Sequence, residues 1–311
     1  MTTKEVAKIE TNQPSTQADV GYTYKSNKIF ELIPNSTLDL LFFKKLYSVL
    51  KGSTDESADH DIAKLVPQPD KTQEEFDGLK KYAKSLYKVV IHIYGARGEY
   101  IFTENEGIFD DPSLPDRINR VVFENSTRFK TFTQREPVNQ FRIIFDFTAP
   151  PIIDFNISPS IATPINSSID IVGENTTWVS GTYKKIVELL ENRKNTHGWL
   201  HRNNIWDLFL WAAIMPIIFR ILFLLQKASP ASISNLSGVL KAAIYVYVFF
   251  FLLNIFRILF GYARWVFPYL ELNTPLKKTN LHRIVLGAIV FSIVGTMGYE
   301  LVMWCVKALW G

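Results

Sequence analysis

The sequence predicts two parts of different class: an α+β head with an antiparallel sheet and flanking helices over 26–196, then an all-α membrane region with three transmembrane helices over 197–311. Three observations carry this. Apolar runs at about 205–226, 238–262 and 284–306 each have the length, about 20 residues, that a helix rising ~1.5 Å per residue needs to cross ~30 Å of hydrocarbon. Six of the seven tryptophans lie from Trp199 onward, as expected of interfacial aromatic belts. The stretch between residues 26 and 196 alternates between period-two and helical patterning, with turn residues between the segments.

The second run is the plainest. It reads AAIYVYVFFFLLNIF, fifteen residues without a charge, where a helix on a water-exposed protein needs a polar face. Orientation follows from the basic residues near the run ends. Lys184, Lys185, Arg193, Lys194 and Arg202 precede the first run, and only Lys227 and Lys241 separate it from the second. Arg257, Arg264, Lys277, Lys278 and Arg283 stand at or beyond the end of the second run, and Lys307 follows the third. That alternation predicts a multi-pass protein of the cell membrane, with the head cytoplasmic and the C-terminus on the opposite side.

Within the head, residues 1–25 are polar, lack an apolar period and read as disordered, with no signal-peptide core. A first helix is expected over 38–50, capped by Ser36 or Thr37 and closed by Gly52, with 51–61 as an acidic loop. A second is expected over 73–87, where Phe76, Leu79, Tyr82, Ala83, Leu86 and Tyr87 recur at three- and four-residue steps. Strands over 88–94 and 99–103, joined by the Gly95–Gly98 turn, form a hairpin. Further strands are expected over 119–124, 128–133, 140–147 and 168–172. The segment 149–164, with its prolines, is extended coil, and a closing helix over 177–192 docks Trp178, Ile186 and Leu189/Leu190 on the sheet.

Chemical motifs are sparse. No nucleophile elbow or phosphate-binding glycine loop occurs. The Gly95–Gly98 turn with Arg97 reads as a hairpin turn before it reads as an anion site. The lone Cys305 makes no intrachain disulfide, and no run of five basic residues marks a nucleic-acid footprint. No catalytic residue, cofactor or metal is expected. His197 and His201 stand four apart, but Gly198 lies between them and no third ligand is near, so they read as interfacial histidines. Asp59, His60 and Asp61 read as a solvated cluster.

Charges in the apolar runs are more telling, because an intramembrane charge costs at least ~2.5 kcal/mol and calls for a partner. Arg220 and Glu300 fall at matching depth in the first and third runs, which leaves two expectations: an interhelical ion pair, or each charge near the outer interface and snorkelling to it. Asp207 opens the first run and Arg257 and Arg264 close the second, as salt-bridge partners or holders of lipid phosphate. Pro216 is expected to distort the first run, and Gly287, Ala288, Gly295 and Gly298 give the third a small-residue face.

Together these features predict a membrane protein whose cytosolic head senses or binds a protein or small ligand. Its other partners are the lipid bilayer and further copies of the chain. The competing expectation is an oligomeric effector or pore gated by the head. An enzyme would require a convergent polar site such as His197, His201, Asp207 and Arg264.

Overall fold

The computed structural model describes residues 26–67, 69, 72–152, 162–228, 235–273, 281–289, 292, 295, 296, 299 and 303. The expected disorder of 1–25 lies outside them. The head is built on a six-stranded sheet of β1 (Asn27–Leu32), β3 (Val90–Gly95), β4 (Tyr100–Thr103), β5 (Ile118–Glu124), β6 (Gln140–Asp146) and β7 (Ser168–Gly173), in the order β1-β7-β6-β5-β3-β4. Every neighbouring pair is antiparallel. Alternation does the sorting: Ile91, Ile93, Val121, Phe123, Phe141, Ile143, Phe145, Ile169 and Ile171 all point to one face and are buried.

Two helices cover that face, α1 (Leu40–Ala63) and α4 (Thr176–Glu191). From α1, Phe42 and Phe43 enter an aromatic nest, with Phe43 at 5.3 Å from Phe145 and 5.4 Å from Phe109. Edge-to-face and offset pairs of this kind add to the area they bury. From α4, Trp178, Val179, Ile186 and Leu190 are buried in the same core. A lighter helix, α2 (Gln73–Ser85), begins with a reciprocal capping box between Thr72 and Glu75. It buries Phe76, while Leu79 and Tyr82 of its expected apolar face stay exposed.

Two expectations for the head are corrected. Residues 51–61 are not a loop: α1 runs straight through them to Ala63, and its N-cap is Asp39 rather than Ser36 or Thr37. The small side chains Ser53, Thr54, Ser57 and Ala58 are buried, and they let neighbouring backbone approach closely. The Trp178 indole donates to the Ser53 carbonyl at 2.7 Å, and Ser57 donates to the Asn139 carbonyl at 3.2 Å. The second correction concerns 128–133, which forms a helix, α3 (Thr127–Thr133), not a strand. Thr131 and Thr133 donate back to the carbonyls of Thr127 and Phe129, and Gln134 in the left-handed region (φ 56°) ends the helix. The sheet edge β1 and the short β2 (Ser36–Leu38) are not among the predicted strands.

The C-terminal part begins with α5 (Ile205–Lys227) and α6 (Gly238–Val266), both long and apolar enough to cross a bilayer. Three spans were expected, and two are found among the described residues. Of the third run, 284–289 and a few isolated positions are described, all helical, and the rest lies outside. α5 and α6 form an antiparallel hairpin: Trp206 packs on Phe260 at 5.2 Å and Phe219 on Phe249 at 6.4 Å, so one index rises as the other falls. Leu200, Ile214 and Ile218 complete that seam. The expected distortion of α5 takes the form of a π-helical turn at Leu210–Ile214, just before Pro216. A widened turn absorbs the missing N–H and the bulk of the proline ring.

Candidate functional site at the head–span junction

The chain leaves α6 and returns to the head. Leu270–Leu272 forms β8, which pairs in parallel with β2 in the register Ser36↔Leu270, Thr37↔Glu271 and Leu38↔Leu272. Leu270 and Leu272 are buried in the core of the head itself, beside residues of α1 and α4. The beginning of α5 and the end of α6 therefore meet one surface of the head. Further backbone bonds extend the seam, from Thr37 N to Arg193 O at 2.9 Å and from Asn273 N to Leu38 O at 2.7 Å. Asn35 and Asn195 interlock beneath it, the Asn35 amide donating to both oxygens of Asn195. Gly198 sits so close to Asn35 that a Cβ would collide with that amide.

His201 is the polar centre of the junction. It ends a 3-10 turn, His197–His201, and is 3% exposed. Its Nε2 lies 2.7 Å from the Phe267 carbonyl and its Nδ1 2.8 Å from the Thr163 hydroxyl. A carbonyl can only accept, so Nε2 carries the proton and Nδ1 accepts from Thr163. One neutral tautomer thus joins the loop before β7, the turn before α5 and the end of α6. Thr163 also donates its backbone N–H to the His201 carbonyl at 3.2 Å, and the imidazole stands edge-on to Tyr269. Burial pushes the His201 pKa down; its bond to Phe267 opposes this and the nearby Arg264 charge adds to it.

Of the other predicted residues, His197 and Arg264 fall around this centre. The His197 ring packs on Phe267 at 4.9 Å, and burial, then the Arg283 charge, push its pKa down. The two histidines therefore address different parts of Phe267 and do not converge on a common point. Arg264 lies over the Phe260 ring at 4.7 Å and donates from Nε to the Leu200 carbonyl at 3.1 Å, tying α6 to the 3-10 turn. Asp207 sits in the first turn of α5, beside Trp206. Arg257 stands two turns before Arg264 in α6 and is half-buried. Arg220 lies on the exposed side of α5, and Glu300 lies outside the described residues, as does Cys305.

Several junction residues carry no motif. Glu271 is buried and accepts from Arg283 at 2.7 Å, and the same guanidinium lies 5.2 Å over the Phe267 ring. Gly261 is pressed by the Ile152 carbonyl, so the β6–β7 connection lies directly on α6, and a Cβ there would collide with backbone. The other end of that connection reaches Asn203, whose side chain accepts from Ala162 N at 2.8 Å. The period-two placing of Leu270 and Leu272 in PYLEL is the one sequence signal for β8, and three residues are too few to read as a strand without their partner. Comparison with protein-family models, curated proteins and solved structures gives no match for this chain.

Proposed function

We propose that this chain is an integral membrane protein whose α+β head lies in the cytosol and senses or binds a protein or small ligand, with the span hairpin held as part of the same folded unit. The observation that carries the reading is the β2–β8 pair. A head that merely hung from an anchor would need one flexible connection. Here Leu270 and Leu272, which follow the second span, complete the head's own core, and His201 bonds the end of α6 to the turn that starts α5. A shift in the packing of α1 against the sheet therefore bears on β2, then β8, then α6. The basic residues crowd the head-side ends of the spans, which favours a cytosolic head.

Hydrogen exchange on the full chain in lipid nanodiscs tests the coupling. Phe43→Ala loosens the core of the head in its aromatic nest with Phe109 and Phe145, and the amides of Leu270–Leu272 are expected to lose protection along with those of β2. Unchanged protection at Leu270–Leu272 would reduce the spans to a passive anchor. Liposome conductance that depends on Arg220 would instead move the reading to an oligomeric effector.

A further inference from the structure

The head has a cleft of about 270 Å³ on the side of α1. Tyr47, Lys51, Thr54 and Asp55 line it from α1, Tyr87 to Val89 line it from the entry to β3, and Glu104 to Glu106 line it from the segment after β4. Spacing of three and four residues puts Lys51, Thr54 and Asp55 on one helix face. At the bottom, the buried Tyr47 and Tyr87 and the half-buried Glu104 already have partners. Tyr47 donates to the Glu104 carbonyl, Tyr87 donates to Asp61 at 2.8 Å, and the Glu104 carboxylate takes Arg128 at 2.6 Å on both oxygens.

The wall charges differ. Lys51, Asp55, Lys88 and Glu106 are exposed, and among the described residues none of them joins an ion pair or a side-chain hydrogen bond. Of the other charges on α1 or capping it, Lys44 pairs with Asp110, Glu56 with Lys185, Asp59 with Lys84 and Lys64 with Glu174, while Lys45 points to solvent away from the cleft lining. Two cations and two anions thus face one concavity without neutralising each other. The Tyr47 hydroxyl feels the arrangement: burial, then Glu106, Glu104 and Asp55, push its pKa up. The volume lies just below the roughly 300–1,000 Å³ of sites for drug-sized ligands, which limits the occupant to a smaller molecule.

We infer that this cleft binds a small zwitterion, its ammonium held by Asp55 and Glu106 and its carboxylate or phosphate held by Lys51 and Lys88. The site stands on its own geometry; that its occupancy is passed to the spans rests on the function proposed above.

The test is calorimetric titration and thermal shift of the full chain in nanodiscs. The probes are L-serine, γ-aminobutyrate and phosphoethanolamine, with 1,3-diaminopropane and succinate as single-sign controls. At least one zwitterion is expected to bind saturably and raise the unfolding temperature, with neither control doing so. Asp55→Asn and Lys88→Gln, both at exposed positions, should each weaken binding tenfold or more, the usual cost of losing a charge-assisted hydrogen bond. Glu188→Gln on the exposed side of α4 should leave it unchanged. Failure of all three zwitterions, equal binding of a control, or indifference to the Asp55→Asn/Lys88→Gln pair would overturn the assignment. Binding without altered exchange at Leu270–Leu272 would leave the site standing and overturn only the coupling.

Discussion

His201 holds the junction in one protonation state. Both ring nitrogens are spoken for, and Nδ1 accepts a hydrogen bond from the Thr163 hydroxyl, so protonating the ring removes an acceptor inside a buried site. Its folded pKa lies below the ordinary imidazole value. The unfolded chain therefore binds more protons as pH drops below about 6.5, and stability is lost from there down through the lowered folded value. Above about 6.5 the contribution is complete. Thermal unfolding of the full chain in nanodiscs should show this loss between neutral and mildly acidic pH. His201→Gln, which keeps a donor for the Phe267 carbonyl and does not titrate, should flatten the slope while lowering stability at pH 7.5. A slope identical in His201→Gln would assign the pH dependence to other groups. At the other half of the junction, Gly261→Val places a branched side chain against the Ile152 carbonyl. Because the obstacle is backbone, this should cost more than the 1–3 kcal/mol typical of overpacking or displace the 149–152 segment. Exchange of the neighbouring amides reads that displacement.

At the scale of elements, legibility followed length and period. β3, β5, β6, β7 and α4 were readable because six or more residues repeat at period two or 3.6, and each of those repeats is satisfied by the single core under α1 and α4. The second half of α1 was not readable. Glycine, serine, threonine and aspartate favour loops locally, and only the tertiary fit of Ser53, Ser57 and Ala58 makes small residues an advantage there. The helix assignment can be tested directly. Gly52 is exposed and its Cβ direction is empty, so Gly52→Ala should stabilise the head by about 0.5–1 kcal/mol if 51–61 is helical. A loop would gain nothing comparable, and denaturant unfolding of the full chain separates the two. The candidate site was legible in part. His201 and Arg264 could be singled out as polar groups beside apolar runs, but their partners are backbone carbonyls of Phe267 and Leu200, which no sequence pattern advertises. β8 was hidden for a related reason, since its two leucines acquire meaning only once β2 is beside them. Leu272→Ala should therefore destabilise the head by about 2–4 kcal/mol although it lies beyond α6, provided the cavity does not collapse.

For the whole molecule, the hairpin of α5 and α6 places both of its head-side ends on one face, and the basic residues follow that geometry. Arg193, Lys194 and Arg202 lie before α5, and Arg264 and Arg283 lie about the end of α6, whereas the far end carries Lys227 and Lys241. Charge bias and fold agree on which ends belong together, although the placing of the basic residues and the β2–β8 pairing are independent observations. The cytosolic orientation proposed for the head makes a prediction about chemical access. In a Cys305→Ser background, cysteines introduced one at a time at Asn204 and Lys227 sit at opposite ends of α5, about 34 Å apart at ~1.5 Å per residue. An impermeant maleimide added to intact cells should label Lys227→Cys and spare Asn204→Cys until the membrane is opened. The reverse pattern would invert the protein and place the head outside. Equal labelling of both would mean that α5 does not cross at all, and Trp206, Ile214, Ile218 and Phe260 would then be a packed seam of a hairpin lying on the membrane rather than through it.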